Sequence, residues 1–212
     1  MTGSDDDIPD APHEASALEK ADVAVAKAIA PARENSAVEA LGWLSEIGDQ
    51  PQMRVLCAGV IAAGLWRGDR RLAGAGVRML AAHSLATGLK SFVKHRVDRT
   101  RPSVLVEEGR YDMGAGTSRE HDYTSFPSGH TAGAVAAAAA YAHVYPEHRA
   151  AAYAAAGAVA LMQIPRCKHY PSDVGAGAAI GLAAAGAAGA AGNGIAAMLS
   201  QEEENWPPRG GW

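Results

Sequence analysis

From residue 55 onward the chain alternates long uncharged stretches with short charged turns. Val55–Trp66 is uncharged but short, and Pro51 is placed to open its helix. Leu72–Val93 is longer and carries Arg78 and Lys90. Thr131–Tyr145 and Ala150–Pro165 are uncharged and built almost wholly from small residues, and Val174–Gln201 has no charge at all. Charge collects in the turns, such as Arg67–Arg71 and Glu147–Arg149. A helix with one face in water shows charge at every turn of that face. These stretches do not, so the pattern predicts an all-α bundle of about five to six helices, embedded in a membrane. A bilayer core takes about 20 apolar residues of helix. The last stretch meets that length alone; the others need their flanks.

The bundle is expected over residues 36–200. Residues 1–35 read as a polar arm, acidic at first, leading into a surface helix over Ala17–Ala32. Residues 201–212, acidic and then rich in Pro and Gly, read as a flexible tail. The opening Met1–Asp10 has neither the basic start nor the apolar core of a secretory signal.

Composition adjusts this picture only slightly. Small residues dominate the second half and let helices approach closely, a habit of membrane bundles. A net charge of −4 leaves no basic field for nucleic acid, and no nucleic-acid-binding motif is present. Cys57 and Cys167 are too few for a disulfide framework or a zinc site and read as apolar filler.

Three polar clusters stand apart: Lys94 to Pro102, Pro127-Ser128-Gly129-His130, and His169-Tyr170-Pro171-Ser172-Asp173, the last preceded by Gln163 and Arg166. Each lies at an end of an apolar stretch. In an up-down bundle successive helices alternate direction, which brings all three clusters to one mouth. Lys94 and Arg101 suit phosphoryl oxygens, and arginine can hold two at once. Ser128 and Gly129 open a helix whose free N–H groups favour an anion, and glycine leaves room for close approach. His130 and His169 give the mouth two imidazoles, one to attack phosphorus and one to protonate a leaving oxygen. Asp173, about one helical turn after His169, is placed to accept its ring N–H and fix the tautomer.

Lys-x6-Arg-Pro, Pro-Ser-Gly-His and His-x3-Asp, in this order, resemble the three signatures of the type 2 phosphatidic acid phosphatase superfamily. The resemblance covers roughly Leu72–Leu182, about half the chain. It implies phosphate-ester hydrolysis on a helical bundle without metal or other cofactor. It also implies that His169 becomes phosphorylated, His130 is the general acid, Lys94 and Arg101 clamp the phosphoryl group, and Asp173 orients His169. One place departs from the family: the arginine six residues before the histidine is Gln163 here. Gln163 is expected to donate to a phosphoryl oxygen, and Arg166, three residues on, to supply the charge.

The expected function is a phosphatase acting on a phosphate monoester or diphosphate of a membrane lipid. Three alternatives share the residues: a soluble acid phosphatase on small esters, a vanadate-dependent haloperoxidase, and a non-catalytic phosphate or lipid binder. Arg67, Arg70 and Arg71 lie at the end away from the clusters. By the positive-inside bias that end is cytoplasmic, which puts the mouth on the periplasmic side of a bacterial inner membrane. Arg96, Arg99, Arg119 and Lys168 read as solvating the mouth or meeting lipid headgroups. His83 reads as a buried histidine bonded to a neighbour, and Trp43, Trp66 and Trp206 as interface markers.

Overall fold

The computed structural model describes residues 8–205, with side chains through residue 194. Among them the chain forms eight α-helices and one short two-stranded ribbon. Five helices make the bundle: α3 (Gln50–Trp66), α4 (Arg70–Lys94), α6 (Gly129–Val144), α7 (Arg149–Met162) and α8 (Pro171–Asn205). They coincide with the five apolar stretches, lengthened by their flanks. Helices α1 (Ala17–Ile29) and α2 (Ser36–Ser45) precede the bundle. Between α4 and α6 lie β1 (Val97–Arg99), α5 (Pro102–Glu108) and β2 (Met113–Ala115), the strands pairing antiparallel with Asp98 opposite Gly114.

Local sequence fixes several of the helix ends. Asp69 caps α4 by accepting from Leu72 N, and Ser128 caps α6 by accepting from Thr131 N. Pro51 and Pro102 sit in the first turns of α3 and α5, where a missing N–H costs nothing.

The main core lies between α3, α4, α6, α7 and α8 and is made largely of alanine, with Met53, Cys57, Met79 and Val159. Alanine buries little area per residue, so the helices must pack closely to exclude solvent or lipid. The seam between α6 and α8 shows how close. A Cβ at Gly177 would lie 2.6 Å from the Ser128 carbonyl oxygen, and one at Gly181 would lie 2.7 Å from that of Ala132. Only hydrogen fits there.

The N-terminal helix departs from expectation. It is not simply a surface helix. Asp22, Val23 and Ala26 are buried, and Val23 and Ala26 join a second core with Leu105, Tyr111 and Tyr170. Its physical cause is a capping box: Ser16 accepts from Glu19 N while the Glu19 carboxylate returns to Ser16 N. The cap fixes where the helix begins, and the pairing of Asp22 with Arg99 and Ser172 holds its inner face. At the other end α8 runs through Asn205, so the expected tail begins later; residues 206–212, with Trp206, and residues 1–7 lie outside the described residues.

Candidate active site

The three clusters converge. Lys94, Arg101, Gly129, His130 and His169 line one cavity of about 280 Å³, together with Glu46, Gly48, Asp49, Lys90, His121 and Lys168. Lys94 ends α4, Gly129 and His130 open α6, and His169 lies in the turn before α8. The first N–H groups of α6 have no partner within the helix and face this end of the bundle.

His169 is buried at 2% exposure, so its contacts are fixed by packing. Its Nδ1 lies 2.7 Å from the Ser125 carbonyl oxygen. A carbonyl only accepts, so Nδ1 carries the proton and Nε2 keeps its lone pair. Burial above all, then the charges of Arg101 and Lys94, hold the imidazole well below the usual histidine range. The ring is therefore neutral, with a free lone pair on Nε2, beside fixed positive charge.

Asp173 does not orient His169 directly, as the sequence suggested. Its Oδ2 is 3.9 Å from Nδ1, beyond hydrogen-bond distance. Its oxygens are already taken: Arg99 Nη1 donates to Oδ1 at 2.7 Å, and Ser125 Oγ and Tyr170 N donate to Oδ2 at 2.6 and 2.8 Å. The carboxylate thus holds Ser125, and the Ser125 carbonyl holds the ring. The bond from Tyr170 N is the return half of a capping box, which ties Asp173 to the first turn of α8.

Arg99 was expected to solvate the mouth. It is instead fully buried behind it, at 0% exposure. Nη1 reaches Asp173 and Ser172, and Nη2 reaches Asp22 at 2.8 Å and the Tyr111 hydroxyl at 3.0 Å. The guanidinium also lies 4.1 Å over the Tyr170 ring. One buried cation between two buried carboxylates is the arrangement that makes burial of all three tolerable.

Arg101 points to the front. Nε donates to the His121 carbonyl at 2.9 Å and Nη2 contacts Thr124 Oγ1 at 3.4 Å. Those contacts aim the fork while leaving donor capacity for a ligand. His130 Nε2 lies 3.2 Å from Asp49 Oδ1 and 3.4 Å from Glu46 Oε2, so this nitrogen carries a proton shared with two carboxylates.

Three expected ligands of phosphate are placed elsewhere. The Ser128 hydroxyl is buried and caps α6, receiving Thr131 Oγ1 at 3.0 Å. Gln163 is buried with its amide turned inward, donating to Val159 O at 2.9 Å. Its backbone carbonyl accepts from Lys168 N and His169 N, which closes the turn carrying His169. With its amide donating to Val159 O and to Ser45 Oγ at 3.3 Å, the Gln163 side chain does not line the cavity. Arg166 binds Ser45 Oγ at 2.9 Å and Glu46 Oε1 at 2.5 Å and does not line the cavity. Lys168 does line it, held by Glu46 at 2.7 Å. Among these groups it is Lys168 that brings positive charge to the cavity.

Glu46 and Asp49 escaped the sequence reading because they precede the first apolar stretch; only the helix-alternation argument, extended one turn upstream, would have placed them at the mouth. Lys90 lies one turn before Lys94 on α4, a signal that was present. Burial pushes the Glu46 carboxyl up, but Lys168 and Arg166 outweigh it and hold it at about 2. Glu46, Asp49 and His130 bring three possible metal-ligand atoms within 4.8 Å of one another. Two cations already neutralise Glu46, which leaves the trio poorly suited to a further cation. His83 is buried against Gly133 with neither ring nitrogen hydrogen-bonded, contrary to the expected bonded partner.

Comparison with known proteins identifies the family and the fold. Lipid A 1-phosphatases from Rhizobium johnstonii and Rhizobium etli are 36% and 34% identical to this chain over 93 residues, 44% of this chain. The matched part is 38% and 40% of those relatives, so the chain covers about two fifths of their length. A transmembrane PAP2 type phosphatidylglycerolphosphate phosphatase from Bacillus subtilis shares the fold with a TM-score of 0.63 at 21% identity, covering 86% of this chain and 89% of its own. Aquifex aeolicus LpxE does so with a TM-score of 0.53 at 20% identity, covering 78% and 93%. A sequence model of the PAP2 superfamily matches residues 75–192, more than half of the chain and all three clusters. The chain belongs to the PAP2 superfamily.

Proposed function

We propose that this protein is an integral membrane phosphatase that removes phosphate from a lipid phosphate monoester or diphosphate through a phosphohistidine at His169. The observation that carries this reading is the 2.7 Å contact of His169 Nδ1 with the Ser125 carbonyl, which leaves Nε2 unprotonated at a cationic mouth.

In the first step the Nε2 lone pair forms a bond to phosphorus as the ester P–O bond breaks. The departing oxygen takes the proton carried by His130 Nε2. Lys94, Arg101 and the first N–H groups of α6 hold the non-bridging oxygens, where charge builds in the transition state. Water then attacks the phosphohistidine and returns a proton to His130 Nε2. The N–P electrons return to His169 Nε2, and inorganic phosphate leaves.

Three observations support the membrane. Pro171–Gly194 of α8 is 24 residues long with mean hydropathy 1.6, yet only 17% of its apolar window is buried within the protein. Val55, Leu65, Phe92, Leu161 and Leu182 also point outward from the bundle. Trp43 and Trp66, at 76% and 89% exposure, flank opposite ends of α3, as interfacial anchors do. Arg67, Arg70 and Arg71 crowd the end away from the mouth, which supports a cytoplasmic location for that end and a periplasmic mouth in a bacterial inner membrane.

The similar proteins carry the names of lipid A and phosphatidylglycerolphosphate phosphatases, and a headgroup phosphate at the membrane surface suits this mouth equally. The test is protein purified in detergent against lipid A, phosphatidylglycerolphosphate, phosphatidic acid and a polyprenyl diphosphate. Phosphate release and a trapped phosphohistidine, both lost in His169→Ala, are expected. No release from any of them would favour a non-catalytic binder, and full activity without detergent a soluble enzyme.

A further inference from the structure

We infer that Asp22, in the N-terminal helix, is a positioning residue for His169, acting through Arg99, Asp173 and Ser125. This rests on His169 being the nucleophile. Asp22 lies far upstream of the segment matched by the family, which starts at residue 75.

Asp22 is buried at 2% exposure and accepts from two elements at once. Oδ2 receives Arg99 Nη2 at 2.8 Å, and the Ser172 hydroxyl donates to the same oxygen. Oδ1 receives Ser172 N at 3.0 Å. A carboxylate from α1 therefore caps the first turn of α8, where a helix favours negative charge.

The effect reaches the nucleophile by a short chain of contacts. The two terminal nitrogens of Arg99 are gripped from opposite sides, by Asp22 and by Asp173. With both in place the plane of the guanidinium is fixed. Asp173 then has one position, Ser125 Oγ follows it at 2.6 Å, and the Ser125 carbonyl sets the His169 ring. An amide at position 22 would turn an NH2 toward donors of Arg99 or Ser172. Arg99 would lose half its grip, and the ring would lose its fixed aim without losing any group at the mouth.

Orthovanadate and inorganic phosphate separate aim from affinity. Vanadate mimics the five-coordinate transition state and needs Nε2 in line, whereas phosphate needs only the cations. Calorimetric titration of the full chain in detergent is the experiment. Asp22→Asn should weaken vanadate binding by about tenfold or more and phosphate binding by less than about twofold, since small misplacement of a reacting atom is costly. Val23→Ala loosens the same helix but keeps the carboxylate, and should bind vanadate as the wild type does. If Asp22→Asn does not accumulate as folded protein, Ser172→Ala, which removes the hydroxyl contacts to Asp22 and Arg99, should give the same selective loss at about threefold.

Unchanged vanadate binding in folded Asp22→Asn would overturn the proposal. So would equal losses of vanadate and phosphate, an equal loss in Val23→Ala, or unaltered vanadate binding by Ser172→Ala. Vanadate bound equally by wild type and His169→Ala, or by neither, would overturn the role of His169 and this proposal together. Selective loss in Asp22→Asn, with no lipid hydrolysed by the wild type, would leave the positioning role standing and remove only the phosphatase reading.

Discussion

The two sides of His169 are built on opposite rules. In front, Lys90, Lys94, Arg101 and Lys168 share a cavity with two carboxylates, and polar atoms remain open to a ligand. Behind, Asp22, Arg99, Asp173 and Ser125 are buried and bonded to one another. In the proposed reaction the front groups act on the substrate, so their loss is expected to cost rate. Rear groups act on the protein, and their loss costs both the fold and the aim of the ring. The same residue type does both jobs: Arg99, the last residue of β1, turns to the buried carboxylates, while Arg101, two positions on at the start of α5, faces the cavity.

The sharpest break of this comparison is His169→Ala, expected to cut phosphate release by at least about 10⁴-fold while leaving the fold intact, as measured by turnover and circular dichroism. Arg99→Ala should do the reverse first. It strands two buried carboxylates and should cost about 3–5 kcal/mol in denaturant unfolding, the scale of breaking a buried ion pair. At the front, Arg101→Ala should lower kcat by about 10²–10³-fold with little change in unfolding midpoint.

A pH profile probes the boundary between the two sides. Burial and the front cations lower the His169 pKa, so the ring stays neutral below the ordinary value of about 6.5. The acid limb of kcat/KM should therefore fall well below that value. Stability follows the same sign: the unfolded chain binds the proton first, so this group's contribution is intact above about 6.5 and declines as pH falls toward the folded pKa. The smallest effect belongs to Arg166→Ala. Its guanidinium binds Glu46 and Ser45 outside the cavity, so kcat should change by less than about threefold, whereas Lys168→Ala should raise KM more.

Much of the front was legible in the sequence because each of its motifs is local. Pro-Ser-Gly-His and His-x3-Asp are short runs, and helix alternation was enough to bring them together. Uncharged stretches likewise marked the five bundle helices. The rear was not legible. Asp22 meets Arg99 across 77 residues, and Arg99 meets Asp173 across 74. No periodicity records such a pairing, and a lone aspartate on a polar helix looks solvated. Asp173 misled for a related reason. Spacing of four residues predicts contact on a helix, but His169 precedes the first residue of α8, and the carboxylate turns to Tyr170 N instead. Gln163 was misplaced because motif position says nothing about which way a side chain points.

The glycine seam between α6 and α8 has an evolutionary consequence. Gly177 and Gly181 bring backbone against backbone, so the separation between the helix that carries His130 in its first turn and the helix that starts beyond His169 is set by main-chain contact. Nothing on the outward faces of those helices takes part in that spacing. Outward residues such as Leu182 can drift to suit bilayers of different thickness or composition while the reacting centre keeps its dimensions. A lineage can then change its membrane without having to reinvent its chemistry.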